Sequence, residues 1–301
     1  MSLIWVFVTL LLLAGLTLLI SNSSAWMNRW YAALLIVAIG FFLAVTNFQT
    51  MTTVFGPIKL VTLGFGAWLV AMMRFEGWAT RAWARKAAFA LLSLNIIEAV
   101  GFEVFDYFFD GTNGVYGGSI WNGVAGMLLV GTLVFPRAIT VDADGRQNLR
   151  YDLGIGWVLA YTLWNFTFVF RTLAPELLFN EYMAGTILHL SVPLMLTLVI
   201  GRDAALWVQM RGISLALFTA AAIIYTPVPV LETIPKWHSA ELASILAAAS
   251  FISAAIVSAK YLVINPAHLA AVNLQQAISR KAIDILGCIP AAKSLAGDSQ
   301  Q

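Results

Sequence analysis

The chain has 301 residues, 60% of them hydrophobic and 11% charged, with a formal net charge of +2 and a mean hydropathy of +0.85. Soluble domains hold roughly 45–50% apolar and about 25% charged residues, so the composition argues against a water-soluble globule and for surplus apolar surface turned to lipid. Scattered basic residues argue against a nucleic-acid partner, and a lone Cys288 leaves neither an intrachain disulfide nor a Cys-based metal site.

A membrane-spanning helix needs about 20 mostly apolar residues. The segments that meet this are 1–20, 30–47, 57–73, 87–109, 120–136, 152–173, 181–200, 212–231 and 241–264. The first has no basic residue ahead of its apolar run, so it reads as a retained helix and not a secretory signal. The segments are continuous apolar runs without the alternation of a membrane β-barrel. The expected fold class is therefore all-α: a polytopic membrane bundle of about nine transmembrane helices. An uncharged stretch at 48–56 leaves open a re-entrant segment between the second and third helices.

Orientation follows from the lysines and arginines, which concentrate on the cytoplasmic side. Arg29, the group Arg74 to Lys86, Arg137 to Arg150, Arg202 with Arg211, and Lys260 onward fall on one side, and only Lys59, Arg171 and Lys236 on the other. This 14 to 3 split over the 17 basic residues predicts an outside N-terminus and a cytoplasmic C-terminus, with a bacterial inner (plasma) membrane as the expected location. Residues 1–264 form the expected bundle. The tail 265–301 carries Leu274, Ile278, Ala282, Ile285 and Leu286 at helical spacing, the pattern of an amphipathic helix at the inner membrane surface.

Short loops leave no room for a soluble catalytic domain, so the chemistry is sought inside the bundle. The fourth segment carries Asn95, Glu98, Glu103 and Asp106. At 100° per residue Asn95, Glu98, Phe102 and Asp106 share a stripe, with Glu103 on its flank. An ionisable group at mid-membrane costs on the order of 2.5 to 3.5 kcal/mol, so such a stripe is expected to face the bundle interior. Tyr161, Asn165 and Arg171 share a face of the sixth segment, and His189 lies about eight residues into the seventh. Counting inward places Glu98, Tyr161 and His189 at similar depth, with Glu103, Asp106, Asn165 and Arg171 nearer the outside. Asn122 and Tyr225 are expected to complete the lining.

Glu98, Glu103, Asp106 and His189 are thus the candidate ion- or proton-handling groups. Asn95, Asn122, Tyr161, Asn165, Arg171 and Tyr225 are the candidate cavity lining. The pattern points to a proton- or cation-coupled transporter or channel with an acidic cavity. Two alternatives stay open: a membrane-embedded enzyme using carboxylates and His189, and a non-catalytic assembly subunit. The three histidines, 189, 238 and 268, form no helical ligand pair, so metal and cofactor are left unassigned. The small-residue face Ala243, Ala247, Ser250 and Ala254 of the ninth segment would let another helix approach closely, from this chain or from a second copy in a homo-oligomer. Tryptophans near segment ends, such as Trp26, Trp30, Trp78, Trp83 and Trp207, are expected at membrane interfaces.

Overall fold

The computed structural model describes residues 2–45, 55–109, 118–143, 146–171, 183–224 and 239–264. Among these the protein is all-α except for one short hairpin. Its α-helices are α1 (Ser2–Ser21), α2 (Ala25–Val45), α3 (Phe55–Phe75), α4 (Ala82–Phe109), α5 (Ile120–Gly131), α6 (Ile155–Arg171), α7 (Met183–Leu194), α8 (Trp207–Ile224) and α9 (Ala240–Ile264). Each overlaps one of the nine apolar segments. Residues 48–54, Tyr225 and the tail beyond Ile264 lie outside the described residues, as do the re-entrant and amphipathic-tail expectations that rest on them.

Ala82–Phe109 and Ala240–Tyr261 are long and apolar enough to cross a membrane, which points to membrane association. The chain divides into two compact units, Met1–Val257 and Ser258–Gln301. Within the first, α2 packs on α3, α3 on α4 and α8, α4 on α5, α5 on α6, and α1 against α7 and α8.

Two elements differ from the sequence expectation. The fifth helix stops at Gly131, and Thr132 closes it by turning its hydroxyl back to Leu128 O at 2.9 Å. Pro136, which cannot continue a helix, then opens a single 3-10 turn. After it the chain forms an antiparallel pair, β1 (Thr140–Val141) with β2 (Leu149–Arg150), Thr140 facing Arg150. Apolar periodicity cannot reveal a strand pair of two residues each.

This hairpin meets a buried polar knot. Arg74, 1% exposed at the end of α3, donates to Gln147 O at 3.0 Å, Arg146 O at 3.0 Å, Ser21 O at 2.7 Å and Asn28 Oδ1 at 3.2 Å. Gln209 of α8 donates to Ser21 Oγ at 2.7 Å and Asn148 Oδ1 at 3.2 Å, and accepts from Leu149 N–H at 2.7 Å. A buried guanidinium is tolerated when its fork is filled with acceptors, and here neutral oxygens fill it. Outside this knot Arg150 pairs with Asp203 at 2.7 Å and Asp142 at 3.4 Å.

The apolar core centres on α6, where Trp157, Tyr161 and Trp164 pack with Trp207 of α8. Trp207 is therefore fully buried, in contrast to its expected interfacial place, while Trp26, Trp30 and Trp83 are exposed. The small face of α9 is also buried within the chain: Ala243, Ala247, Ser250 and Ala254 are covered, Ala243 clusters with Phe170 of α6, and Thr167 of α6 donates to Leu246 O at 3.4 Å. The first part of that face thus meets α6 of the same chain.

Candidate functional site

The acids of α4 do not converge. Glu103 is completely buried, whereas Asn95, Glu98, Phe102 and Asp106 are half-buried. The buried face of α4 thus runs through Ile96, Ala99, Val100 and Glu103, one position round from the predicted stripe. The reason lies in α5, whose approach is set by glycine. A Cβ on Gly118 would stand 1.7 Å from Glu103 O, and one on Gly126 would stand 2.4 Å from Val100 Cγ2 and 2.8 Å from Trp164 Nε1. With no side chains there, α5 closes on α4 and α6 at these points.

Glu103 is anchored by that contact. Ser119, the N-cap of α5, donates its backbone N–H to Glu103 Oε2 at 2.5 Å, and Asn122 Nδ2 donates to Oε1 at 2.6 Å. A carboxylate at a helix N-terminus also faces the positive end of the helix dipole. Asn122 is tied on to α6: its carbonyl accepts from Trp164 Nε1 at 3.0 Å, and its amide donates to Trp164 O at 3.4 Å. Glu103 and Asn122, predicted as separate site residues, form one helix-joining unit.

A second polar centre lies between α7 and α8. His189 of α7 and Arg211 of α8 are both buried, and Arg211 Nη1 stands 3.0 Å from His189 Nδ1. Because a guanidinium only donates, Nδ1 accepts and the imidazole is neutral, with its proton on Nε2. Tyr161 and Arg211 line the same cavity. The local backbone follows from Pro193. Lacking an N–H, Pro193 cannot bond the carbonyl four residues back, which is that of His189. The Ser214 hydroxyl lies 3.4 Å from the freed oxygen. Beyond Pro193 the helix widens into a π-turn over Met195–Ile200, a distortion found often at functional sites.

Arg211 and Tyr161 close one part of a cavity of about 130 Å³ between α3, α4, α6 and α8. Asn95, Thr62 and Trp207 also line it, and the remaining wall is mostly apolar, including Leu63, Leu91, Leu92 and Leu215. Of the predicted lining, Asn95 and Tyr161 border this cavity and Asn122 does not; His189, predicted as an ion-handling group, bonds the cavity-lining Arg211. Glu98 is not one of its lining residues, nor are Asp106 and Asn165; Asn165 is half-buried on α6. The Arg171 side chain and Tyr225 lie outside the described residues.

Sequence reasoning missed Arg211 and Trp207. Both sit in a basic stretch between apolar segments, where a loop position is the ordinary reading. The available signal was the helical spacing of Trp207, Arg211 and Ser214, which puts them on one face of a helix that begins five residues earlier than expected. Among the described residues no group of three or more His, Cys, Asp or Glu side chains is placed to hold a metal ion.

These features define an all-α helix bundle with a polar-ended internal cavity. The chain belongs to a family of unknown function (DUF5692), whose family model matches residues 1–282. Comparison with curated proteins and with solved structures gives no match.

Proposed function

We propose that this chain is a multi-pass membrane protein of a bacterial inner membrane that moves a small solute, with a proton or cation as the coupling ion. In this reading its N-terminus is outside and its C-terminus cytoplasmic. The observation that carries the proposal is the cavity among α3, α4, α6 and α8, apolar over most of its wall and polar at Arg211, Tyr161 and Asn95. Such a site suits a bound solute better than a structural gap, because buried polar groups are otherwise matched within the protein.

The membrane part of the proposal draws on the exposed apolar side chains of several helices, among them Phe7, Leu12, Leu34, Phe105, Ile252 and Ile256. The alternation of basic loops receives support from the Arg74 knot. It joins the end of α1, the start of α2, the end of α3, the hairpin and the start of α8, all of which the 14 to 3 split assigns to one side.

The coupling role falls to Glu98, half-buried on α4 one turn from the cavity-lining Asn95, and to Asp106, half-buried about three turns from it. Glu103 is assigned a packing role instead, since Ser119 and Asn122 hold its carboxylate. In proteoliposomes, Glu98→Gln is expected to abolish pH-driven flux while the purified protein keeps its melting temperature; unchanged flux removes Glu98 from the mechanism. An assembly-subunit role gains ground if wild-type protein shows no flux of protons or small cations at all.

A further inference from the structure

Among the described residues two arginines are buried, and they are treated differently. Arg74 meets four oxygen acceptors. Among the described residues the side chain of Arg211, 7% exposed, bonds Nδ1 of His189, and its Nε has no hydrogen-bond partner. Among the described residues no carboxylate pairs with it. Trp207, 1% exposed, lines the same cavity, and its indole Nε1 is likewise without a partner. Both residues line one cavity, and Arg211 stays charged at any ordinary pH. A buried donor left unmatched costs about 1–3 kcal/mol, and more when charged, so the guanidinium of Arg211 calls for an anion supplied from elsewhere.

We propose that the cavity is a binding site for a small organic monocarboxylate, its carboxylate at the Arg211 and Trp207 end and its apolar body against Leu63, Leu91, Leu92 and Leu215. This inference rests on reading the cavity as the solute site and names the class of solute. The single positive charge sets the ligand charge at one, because a dianion would leave a net buried charge uncompensated. A planar carboxylate also matches the guanidinium fork. The space sets the size: at about 130 Å³ the cavity is close to the roughly 150 Å³ that accommodates a benzene molecule in a dry protein interior.

The test uses the full-length protein in detergent at neutral pH, titrated with benzoate, benzyl alcohol and acetate, and read by tryptophan fluorescence and melting temperature. Benzoate is expected to bind saturably and at least about tenfold more tightly than benzyl alcohol, the margin of a charge-assisted hydrogen bond. Acetate, which lacks the apolar body, is expected to bind more weakly than benzoate. Arg211→Gln should bring benzoate down to the benzyl alcohol level. Because that variant removes a buried group, a second one is included: Gly212→Leu, at a cavity-lining position with nothing within 4 Å of its would-be Cβ, should fill the space and abolish benzoate binding in a folded protein. Equal binding of benzoate and benzyl alcohol overturns the carboxylate inference and leaves the cavity as a solute site. Absence of binding by any of the three probes overturns both. Unchanged benzoate binding in Gly212→Leu places the ligand elsewhere and also overturns the inference.

Discussion

Replacing Gly118 with alanine is the sharpest test of how α4 and α5 are joined. The new methyl would meet the backbone oxygen of Glu103 at 1.7 Å, and half of the usual contact distance of at least 3.4 Å is then missing. A backbone carbonyl inside a helix cannot rotate aside as a side chain can, so the two helices must part. Overpacking of this kind costs about 1–3 kcal/mol. The separation also breaks the short bond from Ser119 N–H to Glu103 Oε2, and a hydrogen bond to a charged group contributes about 1.5–3 kcal/mol. Together the loss is about 2.5–6 kcal/mol, among the larger effects of a single substitution. The assay is thermal unfolding of purified protein in one detergent, followed by tryptophan fluorescence, with Gly101→Ala beside it. Gly101 sits in α4 with nothing within 4 Å of an added Cβ, so alanine there should stabilise by about 0.5–1 kcal/mol. A Gly118→Ala protein that melts with or above the wild type would refute the close approach of α5 to α4, and with it the anchoring of Glu103.

The polar knot gives a second prediction: Arg74→Lys should destabilise by about 3 kcal/mol or more in the same melt, because one ammonium cannot reach the four oxygens that the fork satisfies; wild-type melting would show that the knot adds little. The Arg150 pair gives a third. Burial works against the charge of Arg150, but Asp203 and then Asp142 outweigh it and raise its pKa above the ordinary arginine value. A raised pKa means that the stabilisation is complete below the ordinary arginine range and is lost only in stronger alkali, so on the arginine side it is flat across all usual pH values. Salt is the more useful variable: since the pair is partly exposed, Arg150→Gln should cost no more than about 1 kcal/mol at low ionic strength and less in about 1 M salt. A cost that salt does not change would refute an exposed ionic contribution.

The helices were legible because each is an apolar run, and length alone separates such runs from strands. Glu103 and Asn122 were also legible as interior groups, since lipid excludes unpaired polar side chains. Their pairing was not, because it depends on glycines 118 and 126 allowing α5 to close, and a glycine in sequence does not say which neighbour it admits. Arg211 was missed for a different reason. Basic residues at segment ends are ordinarily loop residues, and only the earlier start of α8 brings Arg211 a turn inside the helix. The hairpin carrying Arg146 and Gln147 was equally hidden, as its contribution to Arg74 comes from backbone oxygens that any sequence possesses.

The span of chain that the Arg74 and Gln209 contacts bridge constrains the order of assembly. Arg74 binds oxygens 72 and 73 residues further along, and Gln209 reaches back 188 positions to Ser21. During synthesis the first three helices must therefore wait, with Arg74 meeting two of its four acceptors, Ser21 and Asn28, until the hairpin emerges, and Gln209 reaches Ser21 only once the eighth helix has begun. Long-range closures of this kind are slow, and the emerging chain is exposed to mispairing throughout that interval.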